Sequence, residues 1–331
     1  ESYFSGKREL FTGLAIDSLE KEWASYPVLH LDLNSQKYDD TQKLEAILDW
    51  NISRWEELYG SYEQETTLSL RFSGVIERAY KKTGKQVVIL VDEYDKPLLQ
   101  AIGNNELQAD YRGLLKSVYG ALKSQDRYIR FALLTGVTKF GKVSVFSDLN
   151  NLQDLSMDEE YQALCGVTQD ELETIFAEPI KQLATKYKLS VEEALCRLKE
   201  RYDGYHFVEN GIGIYNPFSL LNTFKRLQFG SYWFETGTPT YLVELLKQDN
   251  YRLPNLTKEV STADVLNCID TASNNPIPVL YQSGYLTIKS FDEEFGEYRL
   301  GFPNKEVEEG FTRFLLPYYT GLRNPETTFS M

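Results

Sequence analysis

Short, dense runs of aliphatic residues alternate with longer segments of helical periodicity in the N-terminal half of the chain. Val87–Val91 is almost wholly β-branched, as expected of a strand that is buried on both faces of a parallel sheet. The other predicted elements of this half are the strands Tyr26–Asn34 and Tyr128–Gly136 and the helices Thr41–Tyr59, Ser69–Lys82 and Glu106–Lys123. This alternation predicts an open parallel α/β sheet, in which ligands bind at the carboxyl ends of the strands.

The C-terminal half has a different pattern of apolar and polar residues. An irregular bridge, with a short last strand predicted near Leu152–Met157, leads into a helical region. Thr168 with Glu171, and Ser190 with Glu193, have the spacing of capping boxes at two helix starts. The segment from "PVLYQ" to "FTRFLL" has the order helix end, strand, turn, strand and helix, which suits a small winged-helix-like module. The opening "ESYFSGKRELF" is predicted to be helical.

The composition of the chain argues against several classes of protein. The chain has 331 residues, a net charge of −14 and 42% hydrophobic residues, so it can form a sizeable core but repels nucleic-acid phosphates on average. Its three cysteines, Cys165, Cys196 and Cys268, are far apart, which argues against a disulfide framework and for a reducing, cytoplasmic location. With only two histidines, a histidine-rich metal site is excluded. No apolar run approaches the roughly 20 residues of a membrane helix.

The strand Val87–Val91 leads directly into Asp92 and Glu93. An aliphatic strand that ends in Asp-Glu is typical of the second motif of nucleotide triphosphatases. There the aspartate holds Mg²⁺ and the glutamate polarises the water that attacks the γ-phosphate of ATP. The alternative is a strand end that carries acids for solubility alone.

The next predicted strand ends near Thr135, and Thr138, Lys139 and Lys142 follow. A polar side chain at this neighbouring strand end would contact the γ-phosphate or the attacking water, and the loop beyond it could contact phosphates. The alternatives are a hydroxyl that caps the backbone and a solvated basic loop. A P-loop requires the string G-x-x-x-x-G-K-[ST], and this string does not occur in the chain.

Several stretches resemble, in order and spacing, the bacterial AAA-ATPase-like family, whose members often carry a C-terminal PD-(D/E)XK nuclease-like domain. They are "LVDEYDKPL", "LLTGVTKFGKVSVFSDLNNLQDLS", "YDGYHF", "YNPFSLLNTF", "YWFETGTPTYLVELL", "LYQSGYLTIK" and "LGFPNKEV".

The resemblance implies a partial P-loop NTPase-type core over residues 1–160, a helical lid over 161–250 and a winged-helix-like region over 251–331. It implies that Asp92 binds Mg²⁺, that Glu93 is the catalytic base for ATP hydrolysis and that Thr135 is the sensor. The residue pattern beyond Thr135 adds Thr138 and Lys139 as candidate nucleotide contacts.

This sequence departs from the family pattern at its start, since the family's first strand and phosphate loop precede a helix whose end resembles "ESYFSGKRELF". The expectation is the middle portion of a longer ATPase, weakly stable and with little ATP affinity by itself, because the sheet strands next to the missing one lose ladder partners and apolar cover.

A docking scaffold is the main alternative. Its partner, a protein or less favourably a nucleic acid, would bind the winged-helix-like part. A nuclease is disfavoured because the acids and Lys96 of "DEYDK" have the wrong spacing. Other conspicuous residues have both packing and functional interpretations; they are Asp203, Tyr205, His206, Trp233 and Glu235, with Arg112 and Arg130 as candidate arginine fingers.

Overall fold

The chain forms two compact units, Glu1–Leu152 and Gln153–Met331. The structure is a computed structural model that describes residues 1–139, 145–146, 149–236, 260–266 and 275–315. Within these ranges, no helix is long and apolar enough to cross a membrane.

The first unit contains a parallel sheet of three strands in the order β1-β2-β3. The strands are β1 (Val28–Asp32), β2 (Val87–Asp92) and β3 (Ile129–Leu134). The pairing of β1 with β2 sets Asp32 opposite Asp92. The central strand β2 is buried over most of its length, as its β-branched composition predicts. The prediction of a parallel α/β sheet is therefore confirmed for these three strands.

The helices of the first unit cover the sheet with apolar faces. In α2, Leu44, Ile47, Leu48 and Ile52 recur at helical spacing and are all buried. Asp40 caps the start of this helix by accepting a hydrogen bond from the Gln42 N–H. The helices are α1 (Ala15–Leu19), α2 (Thr41–Tyr59), α3 (Leu68–Thr83), α4 (Lys96–Gln100), α5 (Asn105–Tyr119) and α6 (Ala121–Ser124).

The strand β3 lies at the edge of this sheet and is less buried than its sequence predicts. Phe131 and Leu133 are 42% and 39% exposed. The Phe131 ring stacks on Phe4, with the ring centroids 5.4 Å apart. The interpretation of Tyr128–Gly136 as another buried strand is thus wrong, because every residue of β3 stays partly or fully exposed.

Two further expectations are overturned. The opening residues form turns and a 3₁₀ helix at Arg8–Phe11 rather than an α-helix. No strand forms over Leu152–Met157, where the described backbone is irregular.

The second unit begins with a helical core built from α7 (Gln169–Ile175), α8 (Ala177–Tyr187), α9 (Val191–Tyr202) and α10 (Pro217–Arg226). Leu172, Leu183, Leu198 and Tyr202 are fully buried in it. Both predicted capping boxes are present, at Thr168 with Glu171 and at Ser190 with Glu193.

An antiparallel sheet of order β4-β6-β5 completes the described part of this unit. The strands and helices of this part are, in chain order, β4 (Val260–Thr262), α11 (Ala263–Leu266), α12 (Ile277–Gln282), β5 (Thr287–Asp292), β6 (Glu297–Gly301) and α13 (Lys305–Gly310). The predicted order of helix, strand, turn, strand and helix is confirmed, while a winged-helix fold stays a prediction. Most of the predicted helix in "YWFETGTPTYLVELLK", together with Cys268, lies outside the described residues.

Candidate functional site

Polar side chains end all three strands of the parallel sheet at the same edge. Asp32 ends β1, Asp92 ends β2, and Thr135 directly follows β3. The Thr135 hydroxyl donates a hydrogen bond of 2.6 Å to Asp92 Oδ1. Asp92 and Thr135, predicted from separate motifs, are therefore in direct contact.

The turn after β2 contains an unusual backbone conformation. Glu93 has φ +56°, in the left-handed region that non-glycine residues rarely adopt. Its N–H donates to Asp92 Oδ1 over 3.1 Å. Sparsely populated conformations of this kind are found preferentially at functional sites, where the surrounding structure holds them in place.

Glu93 is half-buried among other acids. Burial raises the pKa of its carboxyl, and the negative charges of Asp95 and Asp92 raise that pKa further. Asp32 acts in the same direction more weakly, whereas the positive charge of Lys96 lowers the pKa. A raised pKa makes a carboxylate a stronger base, which suits the deprotonation or polarisation of a water molecule.

Lys96 links two of the strand ends. Its ammonium donates to the backbone carbonyl of Asn34 over 2.9 Å and also to the Asn34 side chain. The turn after β1 is itself closed by Asp32, which accepts from the Asn34 N–H over 2.7 Å. Lys96 therefore holds the turn after β1 against the turn after β2.

The two predicted nucleotide contacts beyond β3 differ in their surroundings. Thr138 is only 3% exposed, and its hydroxyl donates to Asp95. It would have to leave Asp95 to contact a phosphate. Lys139 is half-buried and engaged within the protein. The predicted nucleotide contacts of both residues stay predictions, and Lys142 lies outside the described residues.

The donor set suits Mg²⁺ better than a transition metal. Within the described residues, no three His, Cys, Asp or Glu side chains form a cluster that could hold a metal ion. Mg²⁺ does not need such a cluster, because it commonly uses one or two carboxylates and keeps water and phosphate oxygens as its other ligands. Asp92, exposed at a strand end opposite Asp32, fits that requirement.

The other residues singled out from the sequence do not join this site. Asp203 and Tyr205 lie in the second unit, where Tyr205 forms an isolated bridge with Ile214. A side chain at Gly204 would meet the Pro303 carbonyl oxygen at 2.3 Å, so "YDGYHF" packs closely against "LGFPNKEV". These contacts account for the aromatic motif by packing.

Three further residues of that set lie on other elements. Arg112 lies on α5 and Arg130 on β3. Trp233 packs its ring against Tyr285 in the second unit, with the centroids 4.8 Å apart.

Sequence reasoning missed two acids of this region, Asp32 and Asp95. Asp32 ends a strand just as Asp92 does, so the same strand-end rule could have identified it. Asp95 is completely buried, and nothing in the local pattern distinguishes it from an exposed helix-capping aspartate.

Comparisons with known proteins find similarity in the first unit and along most of the chain. A family model described as predicted AAA-ATPase matches residues 1–146. A protein of Azotobacter chroococcum mcd 1, described as an uncharacterized protein in the vnfD 5′ region, is 35% identical over 319 residues, which are 96% of this chain. The chain spans 59% of that relative's length. No solved structure matches the chain. The segment that contains β1, β2 and β3 is thus the segment that is similar to predicted AAA-type ATPases.

Proposed function

We propose that the first unit provides the metal-binding and water-activating half of an ATP-hydrolysing site. The observation that carries this proposal is the hydrogen bond of 2.6 Å from Thr135 to Asp92, which joins the ends of two neighbouring parallel strands. The match of residues 1–146 to predicted AAA-ATPases supports it independently.

Each residue at these strand ends has one proposed role. Asp92 would bind Mg²⁺, with Asp32 nearby as a second carboxylate that can hold its water ligands. When bound, Mg²⁺ would neutralise charge on the phosphates. Glu93 would accept a proton from the attacking water, since burial and the neighbouring acids raise the pKa of its carboxyl. Thr135 would respond to the γ-phosphate through its hydroxyl, which is already bonded to Asp92.

The phosphate-binding half of the site would come from residues outside this sequence, since the chain has no P-loop string. The position of β3 supports this part of the proposal. Among the described strands, β3 pairs with β2 on one side only, so its other backbone edge can accept a further parallel strand. A phosphate loop at the carboxyl end of that strand would lie beside Thr135.

The first test measures Mg·ATP binding by calorimetry on this chain and on the full-length gene product that contains it. We expect the full-length protein to bind Mg·ATP and this chain to bind it at least 100-fold more weakly. If the full-length protein binds no Mg·ATP, the proposal is wrong.

The second test replaces Glu93 by Gln in the full-length protein. This change preserves the size and the polar contacts of the side chain but removes the base, so hydrolysis should fall at least 100-fold while Mg·ATP remains bound. Glu77→Gln, at a partly exposed position of α3 where the carboxylate pairs with Lys81, is the matched control and should leave the rate unchanged. Turnover by the Glu93 variant at the unmodified rate would exclude Glu93 as the base.

A second candidate function, docking of a partner, is favoured by the β5–β6 hairpin. Phe295 at its tip is 68% exposed, and Glu293, Glu294 and Glu297 around it are exposed as well. An acidic tip with one aromatic side chain suits a basic protein surface and repels DNA. Retention of DNA by the chain in a salt-sensitive manner would contradict this interpretation, and loss of a captured basic partner on Phe295→Ala would support it.

A further inference from the structure

The carboxylate of Asp95 is buried in a place where an acid is costly. Asp95 is 0% exposed and immediately precedes the short helix α4. An aspartate at such a position normally caps the helix, but this side chain makes no capping hydrogen bond. The Asp95 side chain therefore does not serve to cap α4.

Asp95 reaches instead to the loop that follows β3. Its Oδ2 accepts two hydrogen bonds from Thr138, one from the backbone N–H at 2.6 Å and one from the hydroxyl at 2.5 Å. Both donors converge on one oxygen, and a carboxylate oxygen has the lone pairs to accept both hydrogen bonds.

Tyr94, the neighbour of Asp95, secures the same loop at two more points. The Tyr94 N–H donates to the Thr135 carbonyl over 3.0 Å, and the Tyr94 hydroxyl donates to the Thr138 carbonyl, also over 3.0 Å. Thr135 to Thr138 is therefore fastened at both ends to the residues that directly follow Glu93.

The second oxygen of Asp95 faces Gly136. A Cβ at Gly136 would lie 2.2 Å from Asp95 Oδ1, so the loop approaches the carboxylate as closely as only a glycine permits. Oδ1 is buried and has no hydrogen-bond partner among the described residues. Burial also raises the pKa of Asp95, although the bonds from Thr138 act against this.

A buried acid with one unsatisfied oxygen lowers stability relative to a well-packed apolar residue. Packing alone therefore does not explain Asp95. A role in fixing the turn after β2 against the loop after β3 does explain Asp95, since Glu93 belongs to that turn and Thr135 to that loop.

We propose that Asp95 is a positioning residue that locks the Thr135–Thr138 loop to the Glu93 turn, so that the water-activating and phosphate-sensing groups keep one mutual geometry. The inference rests on the proposed ATPase function and adds to it a residue that contacts neither the nucleotide nor the metal. Asp95 would act on the rate of hydrolysis and not on the affinity for ATP.

The test uses Asp95→Asn in the full-length protein. The amide keeps the shape of the side chain, but its oxygen is a weaker acceptor for the two Thr138 donors. We expect kcat for ATP hydrolysis to fall at least 10-fold, with the Kd for Mg·ATP changed less than threefold. Hydrogen exchange at the Thr138 amide should become at least 10-fold faster. Asp110→Asn, at an exposed position of α5, is the matched control and should alter none of these values.

Two more variants separate positioning from folding. Thr138→Val keeps the backbone donor and removes the hydroxyl, so its loss of kcat should be smaller than that of Asp95→Asn. Gly136→Ala places a methyl group against the same carboxylate and should also lower kcat. In the double variant of Asp95→Asn with Gly136→Ala, the fold-loss of kcat should be less than the product of the two single fold-losses.

The outcomes distinguish the two proposals. If the unmodified full-length protein neither binds nor hydrolyses ATP, the proposed function fails and this inference fails with it. If that protein is active but Asp95→Asn hydrolyses ATP at an unchanged rate, only the inference is overturned. An equal loss of kcat and of ATP affinity, with a lowered Tm, would also overturn it, because a merely structural role predicts that pattern.

Discussion

In the helical core of α7 to α10, local preferences and the surrounding fold agree. Thr168 and Ser190 cap helices with the donors that their spacing predicts, and the buried positions recur at helical intervals. Interiors of this kind gain stability from apolar burial and close packing.

The turn after β2 shows the opposite relation. Glu93 holds a left-handed backbone without being a glycine, and Asp95 is a buried acid with an unsatisfied oxygen. Both features lower stability by themselves. The difference shows where this chain gives up stability for a fixed arrangement of polar groups, and such places are expected at functional sites.

The largest effect should come from breaking the well-packed region. Leu183 is 0% exposed, so Leu183→Ala should lower the free energy of unfolding of the second unit by about 3 kcal/mol, through lost burial and the cavity that remains. Urea unfolding followed by circular dichroism measures this change. Leu221→Ala, on α10 with the side chain 51% exposed, is the control and should stay within about 0.5 kcal/mol. Equal losses in the two variants would contradict the assignment of the core.

The strained turn should respond in the opposite direction. Glu93→Gly relieves the left-handed backbone and should raise the free energy of unfolding by about 1 kcal/mol, while it removes ATP hydrolysis by the full-length protein. Lys188→Gly is a close control, because Lys188 has the same φ of +56° at the exposed end of α8. It should gain similar stability and keep full activity. A loss of stability in Glu93→Gly would mean that the turn is not strained.

An effect of similar size on stability, without a loss of activity, tests the local agreement in the helical core. Thr168→Ala removes the side-chain oxygen that accepts from the Glu171 N–H and should cost about 1 kcal/mol of unfolding free energy. Ser190→Ala should cost a similar amount at α9, and the two losses should add in the double variant. Thr185→Ala, at an exposed position within α8, is the comparison and should lower the unfolding free energy less than either of these changes. The midpoints of urea unfolding, measured under identical conditions, rank the stability losses of these variants.

The last effect is confined to the pH dependence and concerns a buried acid of the second unit. Glu306 accepts hydrogen bonds from the N–H groups of Tyr232 and Trp233, and burial raises the pKa of its carboxyl. Because the folded-state pKa lies above the unfolded one, Glu306 favours folding at low pH, and this contribution is lost as pH rises through the folded-state pKa.

Glu306→Gln keeps an acceptor for both N–H groups and removes the titration. The unfolding free energy of the variant should therefore fall less than that of the unmodified chain between pH 4.5 and pH 8, as measured by urea unfolding at a series of pH values. Parallel curves for the two proteins would show that Glu306 does not titrate in this range.

The sequence by itself determined most of what is local. The β-branched run of β2, the helical spacing of α2 and the two capping boxes follow from short-range chemistry, and the structure confirms each of them. The candidate acids Asp92 and Glu93 were identifiable because they follow a buried strand.

Only the tertiary structure decided which residues meet at the site. The contact from Thr135 to Asp92, the reach of Asp95 to Thr138 and the pairing of Asp32 with Asp92 join positions that are distant in the chain. The exposure of Phe131 and Leu133 depends likewise on which elements cover β3, and not on the residues of β3 themselves. Periodicity reports which face of an element is apolar, whereas contacts across a sheet edge depend on register and loop geometry, which the local pattern does not specify.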